Sequence, residues 1–185
     1  MEPISLILAV LYFMLPAYIA NMAPVFVRKI PVLGWPIDFR KKVGGTRILG
    51  DHKTARGILA GIIAGIIIFS LQVVLFRFEF IQAISLVHYE NFFAQFSVIP
   101  GFLLGFGAMF GDAIKSFFKR RVGIKPGSPW IPFDQIDFII GAVIFILPLY
   151  HLSWKAMIIL LIATPILHIA TNHIGYYLKI RKVKW

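Results

Sequence analysis

The chain contains no cysteine, so it can build no disulfide framework, thiolate metal site or cysteine redox centre. Acids are also scarce, with eight Asp and Glu against nineteen Lys and Arg and a formal charge of +11. There is no GxxxxGK[ST] run and no GxGxxG run, which removes the two common nucleotide-binding loops of soluble proteins. No His-rich metal spacing or Ser-His-Asp arrangement stands out, which disfavours a zinc centre and covalent hydrolysis. What is abundant is hydrocarbon. Hydrophobic residues make up 59% of 185 positions, at a mean hydropathy of +0.83, a balance that one soluble core of this size cannot hide.

Apolar runs near the length needed to cross about 30 Å of hydrocarbon cover residues 4–27, 57–76, 96–118, 133–150 and 155–176. They predict an all-α integral membrane protein, a bundle of five transmembrane helices in a single membrane domain. The first run has no basic leader and no small-residue cleavage site, so it reads as a retained helix with the mature N-terminus near Met1. The placement of charge argues against nucleic acid as the partner. Of the nineteen basic residues, all but Arg77 and Lys155 fall in residues 28–56, in 115–125 or in the tail carrying Lys179, Arg181, Lys182 and Lys184. Since Lys and Arg concentrate on the cytoplasmic side of a bilayer, the N-terminus is expected outside and the C-terminus in the cytoplasm. Loops 28–56 and 119–132 are then cytoplasmic, and any active site lies at the cytoplasmic face of the cell membrane. His88 and His151 fall on the opposite side.

Gly57, Gly61 and Gly65 are four apart in the second run, and Gly101, Gly105 and Ala108 share a face of the third. Such stripes let membrane helices approach closely. They would also serve a homodimer, or leave a lateral slot for something entering from the membrane. The first cytoplasmic loop is long for so small a bundle, and loops of that kind are usually functional. Its Gly44-Gly45 pair can turn backbone towards a phosphate.

The residues that carry chemistry sit where the third and fourth runs meet the cytoplasm. Residues 111–121, GDAIKSFFKRR, place Asp112, Lys115, Ser116 and Lys119 on one helical face. Asp134 and Asp137 open the next run at i and i+3. Antiparallel packing would bring all three carboxylates to one depth. Each could simply pair with a lysine or favour a helix N-terminus. As a set, however, they repel unless a proton or cation intervenes, and hard oxygen ligands suit Mg²⁺ together with substrate phosphates. The neighbouring lysines and arginines would then hold phosphate oxygens, or attract anionic lipid headgroups.

The run GDAIKSFFKRRVGIKPGSPWIPFDQIDFIIG resembles the signature of the CDP-archaeol synthases, relatives of the phosphatidate cytidylyltransferases. NMAPVF, PID, GGTRILGDHKTARG, LHIATN and the basic, Trp-ending tail are similar to the same family, so the resemblance spans most of the chain. It implies Mg²⁺-dependent transfer of a cytidylyl group from CTP to a prenylated glycerol phosphate lipid, 2,3-di-O-geranylgeranylglycerol 1-phosphate, giving CDP-archaeol and pyrophosphate. By position, Asp112, Asp134 and Asp137 become metal ligands and catalytic residues, with Lys115 and Lys119 beside them. Gly111, Ser116, Arg120, Arg121 and Lys125 are expected around the phosphates, as are Gly50, Asp51, His52, Lys53, Thr54 and Arg56 of the first loop. Where such families usually carry an aromatic residue, this loop has Ala55.

Asn21 matches the family's NxxP and could contact a base or ribose, or bond another helix. His168 and Asn172, at i and i+4, are read first as helix-helix hydrogen-bonding residues. Ester-linked phosphatidate would present the same phosphate as the ether lipid. A CDP-alcohol phosphotransferase would need a DGxxAR signature that is not present. A transporter for an anionic substrate, with the acids as an ion relay, is weakened by the lack of a visible inverted repeat.

Overall fold

The computed structural model describes residues 2–125 and 128–179. Met1 and the basic tail positions Arg181, Lys182 and Lys184 lie outside the described residues. Helices α1 (Pro3–Phe13) and α2 (Leu15–Phe26) occupy the first predicted span and meet at a 45° bend. Pro16 explains the break: it has no N–H to offer the carbonyl four residues back and its ring crowds that carbonyl. The carbonyl belongs to Tyr12, and the buried side chain of Gln72 donates to it from the next long helix.

That helix is α3 (Ala55–Leu75), started by Thr54, whose hydroxyl accepts from the Gly57 N–H at 3.2 Å. Short helices α4 (Glu79–Ala83) and α5 (Tyr89–Phe96) fill the connection beyond it, where the sequence offered only a loop. Tyr89 of α5 is 1% exposed and packs its ring against Tyr12 and Phe69. The remaining elements are α6 (Ile99–Arg121), α7 (Phe133–Ile146) and α8 (Trp154–Tyr177).

Helices α3, α6 and α8 are long and apolar enough to cross a membrane, and the bent α1–α2 pair makes a fourth candidate. The expected fourth span is shorter than 133–150. α7 has 14 residues, about 21 Å at 1.5 Å per residue, and ends before Pro148, which cannot continue an α-helix. The third run, in contrast, stays helical beyond 118, so Lys119, Arg120 and Arg121 belong to α6 rather than to a loop.

The glycine stripes are used up inside this bundle. Gly57 faces Pro24 of α2, and Gly65 faces Gly101 and Gly105 of α6, where an added Cβ would lie 2.8 Å from the Gly105 Cα. The opposite face of α3 is apolar and exposed, with Leu59, Ile63, Ile67 and Leu71 each 46–58% accessible. Small residues inside and large apolar ones outside are what helix packing within lipid favours. Among the described residues, the lateral slot anticipated along the glycine faces of the second and third spans is therefore absent: the Pro24 and Met109 side chains and the facing backbones of α3 and α6 fill it.

Between α2 and α3 the chain forms a hairpin, β1 (Lys42–Val43) with β2 (Thr46–Arg47). Gly44 and Gly45, at φ 59° and 77°, supply the left-handed pair that a two-residue hairpin turn requires. They turn a strand and do not line the cavity described below, so the anticipated phosphate-facing role is not theirs. Asp38 organises the rest of the loop. Its buried carboxylate accepts from the N–H groups of Arg40, Leu49 and Gly50 and from the Arg47 guanidinium. Burial pushes this carboxyl up, but the Arg47 and backbone donors outweigh it and hold the acid well below the usual carboxylate range. A depressed folded-state value contributes stability above the unfolded value of about 4 and loses it as pH falls. The Leu49 and Gly50 amides should accordingly be protected from hydrogen exchange at neutral pH and lose protection on acidification below about pH 4. In Asp38→Asn they should be unprotected throughout, and equal protection in both proteins would remove Asp38 as the organiser.

Candidate active site

At the end of the bundle where the long loop, the C-terminal half of α6 and the start of α7 converge, the chain encloses a polar cavity of about 710 Å³. Helix α6 supplies Asp112, Lys115, Ser116, Lys119 and Arg120, and α7 supplies Asp134 and Asp137. Gly50 through Thr54, Arg56 and Asn21 complete the lining expected from the sequence.

α6 and α7 are locked together by small residues. An added Cβ on Gly141 would lie 2.9 Å from the Gly111 Cα, and one on Gly107 would lie 2.8 Å from the Ala142 Cα. This approach sets Asp134 and Asp137 opposite Lys115, and three carboxylates converge on its ammonium. Lys115 Nζ is 3.0 Å from Asp112 Oδ1, 2.9 Å from Asp134 Oδ1 and 2.8 Å from Asp137 Oδ2. Lys53 pairs with Asp112 from the loop side. Lys119 donates to both Asp134 oxygens, at 3.0 and 2.9 Å, and to the Ser128 carbonyl at 2.6 Å. The Trp130 N–H donates to Asp134 Oδ2 at 2.6 Å.

Three lysines thus face three aspartates, and the low exposure of all six side chains, 6–21%, makes such pairing necessary. Reading these cations as phosphate partners alone is corrected: Lys53, Lys115 and Lys119 are engaged with the acids. Among the described residues no three His, Cys, Asp or Glu side chains stand as an assembled metal cage. The aspartate oxygens nevertheless surround a single cationic atom. That donor chemistry, hard anionic oxygen around a positive centre, fits Mg²⁺.

Several expected residues do other work. Arg121 donates to the Val43 carbonyl at 3.2 Å and lies over the Phe117 ring, so it braces the hairpin outside the cavity. Gly111 faces the backbone of α7 and serves packing. Lys125 is exposed beyond α6 and does not line the cavity. Arg56 lines it but hydrogen-bonds the carbonyls of Arg28, Ile30 and Val32, clasping the loop to the start of α3. The Thr54 hydroxyl is used as a helix cap, and Asp51 pairs with Arg47 at 2.8 Å.

Sequence reasoning missed the contribution of α8. His168, Thr171, Asn172 and Gly175 all line the cavity, and their i, i+3, i+4, i+7 spacing was a legible polar stripe. Asn172 Nδ2 lies 3.3 Å from His168 Nδ1 on the same helix, and the His168 ring lies 6.3 Å from the Phe138 ring of α7.

The fold and site define a multi-pass membrane protein whose helices enclose a charged cavity at one end. Residues 3–185 match the family described as CarS-like: CDP-archaeol synthase, and the chain belongs to that family. It is 37% identical to the CDP-archaeol synthase of Pyrococcus furiosus over 180 residues, covering 97% of this chain and 98% of that one. It is 40% identical to the CDP-archaeol synthase of Archaeoglobus fulgidus over 188 residues, covering 98% and 99%. A solved structure described as an intramembrane enzyme for archaeal membrane lipids biosynthesis superposes with a TM-score of 0.69 at 31% identity, covering 88% of this chain and 91% of that one.

Proposed function

We propose that this chain transfers a cytidylyl group from CTP to 2,3-di-O-geranylgeranylglycerol 1-phosphate, yielding CDP-archaeol and pyrophosphate. One observation carries the reading: the GDHKTARG loop and the two aspartate motifs, distant in sequence, close on one cavity through Lys53, Lys115 and Lys119. A pair of anionic reactants needs such concentrated positive charge, and the lipid phosphate needs that charge at a membrane edge. An oxygen of the lipid phosphate attacks the α-phosphorus of CTP, forming a new P–O bond as the bond to pyrophosphate breaks. The nucleophile is already anionic, so no protein base has to take a proton from it. Asp112, Asp134 and Asp137 hold Lys115 in place before substrate arrives. When phosphates enter, Lys53, Lys115 and Lys119 exchange carboxylate for phosphate oxygens and orient the two reactants. Mg²⁺ on the three aspartates would supply charge neutralisation for the nucleotide phosphates. The Asn21 amide and the α8 stripe, which line the same cavity, contact the nucleoside in this reading.

The bent α1–α2 pair, α3, α6, the short α7 and α8 would make five crossings. With the basic residues on the cytoplasmic side, the N-terminus lies outside and the cavity opens to the cytoplasm, where CTP is supplied. The test supplies purified protein in detergent with CTP, Mg²⁺ and either the ether lipid phosphate or phosphatidate. CDP-lipid and equimolar pyrophosphate are expected with the ether lipid, and chelation of the metal should abolish both. Absence of product with either lipid would refute the assignment.

A further inference from the structure

Backbone ties residues 28–35 to the point where α3 begins. The Arg56 N–H donates to the Leu33 carbonyl at 2.8 Å and the Ala55 N–H to the Trp35 carbonyl at 3.1 Å, while the Arg56 guanidinium reaches the carbonyls of Arg28, Ile30 and Val32. The segment therefore lies level with the first turn of a helix long and apolar enough to cross a membrane. Gly57, where the apolar run starts, is the next residue. At that height Ile30, Val32 and Trp35 are 49–60% exposed, and Phe39, a few residues on, is 70% exposed. Phe39 and Arg40 both take left-handed backbone, at φ 48° and 61°, a conformation costly for bulky residues. The Asp38 carboxylate holds this turn by accepting from the Arg40 N–H at 3.0 Å, so the strained turn presents the Phe39 ring to the surroundings instead of the core.

Lys29, Arg40, Lys41 and Lys42 are exposed along the same stretch, and among the described residues none of their side chains pairs with a carboxylate. We propose that residues 29–43 form a strap docked on the anionic headgroup layer of the bilayer, with Ile30, Val32, Trp35 and Phe39 below the lipid phosphates and the cations upon them. This does not depend on the cytidylyl-transfer reading. A tryptophan among apolar neighbours suits the membrane–water interface, where its ring sits at headgroup level. Exposed apolar residues gathered in one segment and interleaved with cations mark a membrane contact, and the cations set its preference for lipid of net negative charge. None of these side chains lines the polar cavity, so the strap faces a surface other than the one that takes the nucleotide.

The test places a benzophenone side chain at Phe39 or, in a second protein, at Val32, and reconstitutes each full chain in nanodiscs of equimolar phosphatidylglycerol and phosphatidylcholine. A third protein carries the probe at Ile63, on the exposed face of α3, as the reference for bulk lipid. On irradiation both strap positions should capture lipid. Phosphatidylglycerol should exceed phosphatidylcholine there by about fivefold or more over the ratio at Ile63, the gain that roughly one cation gives near an anionic surface. Lys41→Gln combined with Lys42→Gln should bring the ratio at Phe39 down towards that at Ile63, while capture persists through the apolar side chains. The Val32 probe decides the matter if replacing Phe39 prevents folding. No lipid captured at either position, or a ratio equal to that at Ile63, would overturn the proposal. Capture of a second protein chain in place of lipid would also overturn it, since the strap would then be a protein interface.

Discussion

Lys115→Met should lower CDP-lipid formation by on the order of 10²–10³-fold, the usual cost of removing one preorganised charge from a transition state. It should also destabilise the protein. The substitution keeps the length of the side chain but leaves Asp112, Asp134 and Asp137 facing one another without the ammonium they share. Breaking a buried ion cluster by removing one partner costs about 3–5 kcal/mol. Because side-chain exposure here is only 13% for Lys115 and 6% for Asp137, solvent screening relieves little of that cost. The variant also probes the metal. If Mg²⁺ binds these carboxylates, millimolar Mg²⁺ should raise the melting temperature of Lys115→Met in detergent more than that of the parent, since the ion takes the place the ammonium vacated. Asp137→Asn added to Lys115→Met should erase that Mg²⁺ response. A melting temperature indifferent to Mg²⁺ in Lys115→Met would place the ion elsewhere.

Gly141→Leu should lower stability and activity together. Even the first atom of a side chain at this position would lie 2.9 Å from the Gly111 Cα and backbone nitrogen, with no flexible side chain there to give way. Overpacking of this kind costs about 1–3 kcal/mol and sometimes more, and relief requires α7 to move off α6. That movement would carry Asp134 and Asp137 away from Lys115, so activity should fall with stability rather than after it. Ile63→Leu, on the exposed apolar face of α3, serves as the control and should change neither. Retention of full activity and an unchanged melting temperature in Gly141→Leu would mean that α6 and α7 are not held at this distance.

The same crossing shows why part of the site was legible and part was not. Asp134 and Asp137 three residues apart, and Asp112 with Lys115 on one face, are consequences of helical periodicity. That they share a depth follows from a short connection between antiparallel helices. That all three carboxylates choose Lys115 does not follow, because it depends on how closely Gly107, Gly111 and Gly141 let the two backbones approach. Arg121, one residue beyond Arg120 in the same basic run, faces the Val43 carbonyl instead of the cavity. Nothing in a run of like charges shows which members point inward. Asp38 looked like one more loop acid, yet its five hydrogen bonds shape the segment that delivers Lys53.

By itself the sequence determined that this protein lives in a membrane, which residues could carry charge into its edge and which family signature they match, since hydropathy, residue type and order along the chain are local properties. Only the tertiary structure decided that the first span bends at Pro16, that α7 stops after 14 residues and that the glycine stripes are closed by other helices. It also decided that the lysines begin on the aspartates and that residues 28–35 are pinned level with the first turn of α3. These depend on which surfaces touch, and contacts between helices are set by side-chain volume across the interface, which no single segment records.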